Sequence, residues 1–473
     1  MGVQPDDTVR SYQRRISRFL VPSFLSANRP KEIVRPTDFL DGLRGFAALF
    51  VFNYHCIAPL YPQYRVGFWS NGGDEHDSWL TQLPIIRCFY NGPVCVLLFF
   101  VLSGFSITLK PLKLARQGQH EALFNTLVSA TFRRACRLYM PCLALLVMVL
   151  CLIYLGLFNN ALVQSQSPPF IGKHFPQPTV MQSGQFRDFL AHIWVWSDPL
   201  NPATRPMYMP YSGQLWTIPV ELRCSLITWM VVTGLAKTRP TLRMTLTAAF
   251  AVYFFARNHI HPALFVAGAV LAELYLVRAA SSKPSVEPQA KKSPFDHLDR
   301  AQALPKTSGE TQSQQIKYGA IFASGLFLCS FPAVGGAKAL GWPLLCDIAA
   351  FFMGRDKEGN PPPTLFTCVG SVLIVYGVSQ SALLQRPFST PLAKYLGKIS
   401  YSLYCVHQPL LNMFGFMNFK FWWELGLGHN LGFLIAFTIQ LAFTVLASDM
   451  FYRAIDEPSV RFAKWVEEQM AER

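Results

Sequence analysis

Charge is scarce in this sequence. Only 15% of its 473 residues are Asp, Glu, Lys or Arg, while 51% are hydrophobic and 14% aromatic, a balance that excludes both a disordered chain and an ordinary soluble domain. Paired cysteine spacing is also missing. The eleven cysteines form no CxxC, so no zinc site or disulfide framework is indicated, and they read as small apolar residues. No GxSxG elbow, Walker loop or HExxH occurs, nor a His followed five positions later by Asp, so any chemistry must use residues in or beside apolar segments. The segment up to Pro36 has neither the apolar core nor the small-residue cleavage site of a secretory signal. No N-x-S/T sequon is present to mark a compartment.

What the sequence does have is long apolar runs. Ten of them, at 39–60, 88–109, 138–158, 213–235, 242–257, 262–280, 316–333, 365–384, 396–417 and 430–452, reach or approach the length of a membrane-spanning helix. The expectation is an all-α polytopic bundle of about ten transmembrane helices, in the endoplasmic reticulum or plasma membrane. Lys and Arg sort about three to one toward the amino-terminal tail and the loops on its side, which places both termini in the cytoplasm. Topology and attraction to anionic lipid account for most of the net charge of +15, so no nucleic-acid partner is required. The domain plan is a basic cytosolic tail over 1–36, a transmembrane domain over 37–462 with a mobile cytosolic loop at 281–315, and a cytosolic tail over 463–473. In the first tail, Val9, Tyr12, Ile16 and Leu20 lie at helical spacing against four arginines, the pattern of a helix resting on a membrane face. The longest far-side loop, about 159–212, contains "FRDFLAHIWVW", which reads as an interfacial or re-entrant segment.

Within this apolar background a few ionisable residues stand out. Arg44 and His55 are eleven positions apart, so a helix of ~100° per residue turns about three times and sets both on one face, roughly 16 Å apart. An ionisable group at such depth is a functional candidate, with satisfied packing residues as the alternative. In "SGQLWTIPVELRC", Glu221 falls near the expected depth of His55, so its carboxylate is a candidate partner for that imidazole. Pro219 deprives the Leu215 carbonyl of an amide donor, which predicts a kink and a free acceptor. In "LGKISYSLYCVHQPLL", Ser400, Tyr404 and His407 form a polar stripe at i, i+4 and i+7. Asp449, Arg453, Asp456 and Glu457 read as a charge network holding the last helix.

The opening "LDGLRGFAALFVFNYH" resembles the start of the integral-membrane acyltransferase 3 family, whose members move acyl groups from acyl-CoA to hydroxyls. "LLFFVLSGFSITL", "LWTIPVEL", "LGKISYSLYCVHQPLL" and "YRAIDEPS" follow in the family's order, between about Asp38 and Phe462. The resemblance, closest to fungal members that tailor small metabolites, implies acyl-CoA as co-substrate, no tightly bound cofactor and no metal. It also implies Arg44 at the acyl-CoA end, with Arg133, Arg134 and Arg137 beside it, and His55 in catalysis. Glu221 is then expected to hold His55, with Trp216, Ser400, Tyr404 and His407 in the substrate pocket. Thr217 and Gln408 depart from the family pattern, where Ser and Trp are common, and bear on the acceptor pocket. The same polar residues also fit a second reading, a proton-coupled carrier without enzymatic activity.

Overall fold

Apart from an isolated bridge between Val66 and Val334, no strand occurs among the residues that the computed structural model describes, which are 22–23, 35–74, 76–158, 182–201, 209–281, 310–354 and 363–470. Each of the ten apolar runs coincides with a helix. They are α1 (Asp38–Ile57), α2 (Gly92–Arg116), α3 (His120–Tyr154), α5 (Thr217–Gly234), α6 (Pro240–Ala256), α7 (Ile260–Ser281), α8 (Gln312–Cys329), α10 (Pro363–Gln380), α11 (Pro391–Leu410) and α13 (His429–Phe451). Between and after them lie α4 (Gln182–Trp196), α9 (Pro343–Met353), α12 (Phe416–Glu424) and α14 (Glu457–Met470). The segment singled out as interfacial is α4, which buries Phe189 and Trp196 and leaves Trp194 82% exposed. The basic tail's helix-like stretch and most of the 281–315 loop lie outside the described residues.

Five helices among the described residues are long and apolar enough to cross a membrane: Gly92–Arg116, His120–Tyr154, Gly213–Gly234, Ile260–Ser281 and His429–Met470. Of the others, α6 is 17 residues long and α10 is apolar but short, while α1 and α11 are diluted by the polar residues they carry. Helix α1 holds Asp41, Arg44 and His55, and α11 holds Lys394, Lys398, Ser400 and His407, each of which lowers mean hydropathy.

Close backbone crossings set the architecture. Helix α1 packs most heavily on α11, and α2 on α7. At the first crossing a Cβ on Gly45 would overlap the backbone of Leu396 and Gly397, and at the second a Cβ on Gly104 would overlap that of Phe265. Where hydrocarbon surrounds the bundle, close van der Waals contact of this kind is a main source of helix association. An ion pair between Lys394 and Asp38, 2.6 Å apart, locks the starts of α1 and α11 together.

Prolines inside helices leave carbonyls without amide donors, and side chains from neighbouring helices supply them. The indole of Trp196 donates to the Leu215 carbonyl across from Pro219 at 2.9 Å. Trp229 donates to Ile107, four residues before Pro111, at 3.4 Å. Gln214 donates to Cys405, four residues before Pro409, at 2.8 Å. The acceptor expected to be free at Leu215 is therefore used, and a 3-10 turn over Gly213–Trp216 leads directly into α5.

Candidate active site

Two adjoining cavities follow the faces of α1 and α11. The first, about 290 Å³, is lined by Arg44, Ser103, Ser106, Arg134, Arg137, Glu221 and Ser400 among others. The second, about 600 Å³, is lined by His55, Gln214, Trp216, His261, Gln408 and Asn412 together with an apolar wall. Val96 and Tyr404 line both and form the boundary.

In the first cavity Arg44 donates to Asp41 at 2.8 Å, to the Leu102 carbonyl at 3.2 Å and to the Ser106 hydroxyl. Arg134, from α3, donates to Glu221 at 2.8 Å and to Ser225 at 2.6 Å. Arg137, one turn on, forms no ion pair with a described residue and is exposed at the cavity edge. Three guanidinium groups thus face two carboxylates, Asp41 and Glu221, and the surplus cation leaves this chamber suited to an anion. Arg133 is elsewhere. It does not line the cavity and pairs instead with Glu467 of α14 at 3.2 Å, a carboxylate that draws its side chain toward the last helix.

Glu221 also departs from expectation. The sequence reading places its carboxylate against His55, whereas its hydrogen bonds go to Arg134 and, at 2.9 Å, to the Ser103 hydroxyl. A guanidinium at the same depth outcompetes a neutral imidazole for a carboxylate, since the charged pair is the stronger bond. Ser400 joins this arginine-lined chamber too, and its hydroxyl donates to the Gly397 carbonyl at 2.8 Å.

His55 occupies the last turn of α1 and opens on the larger cavity. Its neighbour is His407, with ring centroids 5.1 Å apart. The Leu403 carbonyl lies 3.0 Å from Nδ1 of His407 and can only accept, so Nδ1 carries the proton and Nε2 keeps its lone pair. That Nε2 is buried without a hydrogen-bond partner among the described residues. Tyr404 stands between the chambers, its hydroxyl held by the Gln214 carbonyl and by Thr217, 2.7 Å away. Trp216 forms part of the larger cavity and packs on His261 at 5.8 Å between ring centroids.

Ser103, Ser106, Gln214, His261 and Asn412 escape the sequence reading. Ser103 and Ser106 carried a usable signal, two hydroxyls at i and i+3 inside the apolar run "FFVLSGFSITL". His261 had none, since a histidine beside a helix start is common in loops. Of the two departures from the family pattern, Thr217 holds Tyr404, and Gln408 donates to Asn412 at 2.8 Å on the wall of the larger cavity.

A family described as an acyltransferase domain matches residues 37–453. An O-acetyltransferase, PaAT-1 of Phomopsis amygdali, is 27% identical over 480 aligned residues that cover 95% of this chain and 88% of that protein. The acyltransferase clz18 of Cochliobolus lunatus is 25% identical, covering 89% of this chain and 94% of its own length. The acyltransferase R4 of a Phoma species is 24% identical, with 91% and 96% covered. No solved structure matches the chain significantly.

Proposed function

The chain belongs to the acyltransferase 3 family, and we propose that it is a membrane-bound O-acyltransferase that moves an acyl group, acetyl in this reading, from acyl-CoA to a hydroxyl of a small molecule such as a secondary metabolite. The observation that carries this reading is the join between a cationic chamber and a larger apolar chamber that contains His55. Arg44, Arg134 and Arg137 suit the phosphates and pantetheine amides of a CoA thioester. The exposed position of Arg137 leaves room for the nucleotide outside. The thioester then passes Tyr404 to meet the acceptor.

His55 takes the proton of the acceptor hydroxyl as its oxygen attacks the thioester carbonyl. The carbon–sulfur bond breaks, the CoA thiolate leaves, and the imidazolium returns the proton to sulfur. Because Glu221 is engaged by Arg134, the group beside His55 in this scheme is His407, whose fixed tautomer offers Nε2 as an acceptor. In the membrane this arrangement has ten spanning helices with both termini cytoplasmic, so the arginine chamber faces the cytosol, where CoA is found.

The test is free-CoA release by purified protein in lipid, supplied with acetyl-CoA and a panel of hydroxylated metabolites, wild type beside His55→Ala. Positioned proton transfer is worth about 10² to 10⁴ in rate, so the variant loses at least that much. Equal turnover by a well-folded His55→Ala protein would overturn the assignment.

A further inference from the structure

Beside the larger cavity lies a third, of about 280 Å³, which shares Tyr54, Asn91 and Phe331 with it and adds Tyr64, Arg65 and Arg87. Arg87 is only 4% exposed. It donates to the Tyr64 carbonyl at 3.0 Å and, weakly, to that of Val66 at 3.5 Å, while its Nε finds no partner. No carboxylate among the described residues pairs with it, and the groups that bear on its charge are Tyr90, Cys88 and Tyr64. Burial accordingly holds its pKa below the usual arginine value.

A buried guanidinium is normally matched by an anion, because an uncompensated buried charge costs several kcal/mol in desolvation. Among the described residues the other deeply buried arginine follows that rule, since Arg243 donates from Nε to both carboxylate oxygens of Glu273, at 3.1 and 3.2 Å. Arg87 has neutral carbonyls on one side and an aromatic-walled cavity on the other. Arg65, exposed at the rim of the same cavity, adds a second cation that draws anions toward it.

We infer that this cavity is an anion subsite of the acceptor, and that the preferred acceptor is a hydroxylated molecule with a carboxylate, or a similarly placed anionic group, that seats on Arg87 while its hydroxyl lies in the chamber of His55. The inference rests on the acyltransferase reading and names its acceptor class. The aromatic wall suits a flat or cyclic hydrocarbon frame between the two polar ends.

The experiment uses the full chain in phosphatidylcholine nanodiscs and a panel of hydroxylated aromatic and terpenoid carboxylic acids, each beside its methyl ester. Binding is read by thermal stabilisation, and transfer by free-CoA release from acetyl-CoA. The expected result is that acids bind and react better than their esters by about 10- to 100-fold, the worth of a charge-assisted pair. In Arg87→Gln that preference disappears, and in Arg87→Lys part of it remains. Equal binding of acids and esters by wild type overturns the subsite, and needs no folded variant. Adding phosphatidylglycerol distinguishes the source of the anion, because loss of acid binding in proportion to that lipid would assign Arg87 to a headgroup and sink the acceptor inference. If acids bind selectively but no CoA thioester is consumed, the subsite stands and the acyltransferase reading fails.

Discussion

At the scale of single residues, the site divides its charges from its bases. Glu221 reads in the sequence as the partner of His55, since depth along two helices is all that spacing provides. Which neighbour a carboxylate selects depends on side chains from a third helix, and Arg134 is the one that wins. Spacing set His55 and Arg44 on one face of α1 and Ser400, Tyr404 and His407 in a stripe along α11. It was blind to the chambers, since Arg44 and Ser400 line the first, His55 the second and Tyr404 both, whereas His407, expected in the substrate pocket, lines neither and sits behind His55. The division has a kinetic consequence. Glu221→Gln keeps the bond from Ser103 but removes a negative charge from the cationic chamber, so it is expected to lower KM for acyl-CoA by up to about 10-fold and leave kcat within a factor of about two. His407→Ala removes the lone pair beside His55 and is expected to lower kcat by about 10- to 100-fold with little change in that KM. Steady-state kinetics of the two variants check the assignment. A carboxylate that did support His55 would instead give Glu221→Gln a loss in kcat.

Among the elements, helices were legible because apolar runs of about 20 residues admit few other structures. Their partners were not, because packing partners depend on where a backbone is small enough to approach another. Gly104 shows the rule in one residue. It lies in the middle of α2, where glycine is intrinsically unfavourable, and there a Cβ would collide with the backbone of Phe265 on α7. Gly104→Ala is expected to destabilise the bundle by about 1 to 3 kcal/mol or more, as overpacking does. Gly319 on α8 is the control, since a Cβ there meets nothing within 4 Å. Gly319→Ala is expected to be neutral or stabilising by up to about 1 kcal/mol. Thermal unfolding of both variants in lipid separates the two cases, and equal melting would mean that the α2–α7 crossing tolerates a wider approach. The prolines make a related point. Pro219 announced an unpaired carbonyl at Leu215, but only the folded chain shows that the indole of Trp196 closes it.

For the whole molecule, the direction of the cavities follows from the run of α1. Arg44 stands two turns into it and His55 in its last turn, so the cationic chamber belongs to the end where α1 begins and the Arg87 cavity to the end where it finishes. In the proposed topology the first of these ends faces the cytosol. In that topology acyl-CoA and the acceptor approach His55 from opposite ends of the bundle, and the loop after α1 is on the far side. Cysteines introduced one at a time at Ser281 and Ser78, both exposed, test this in a background where the exposed Cys151 and the half-buried Cys88 and Cys136 are replaced by serine. In sealed vesicles of known orientation, a membrane-impermeant maleimide is expected to label Ser281→Cys only from the cytosolic side and Ser78→Cys only from the other. Labelling of both from one side would remove the opposed approach. It would also require the thioester and the acceptor to share one opening, with Tyr404 then separating two substrates that arrive together.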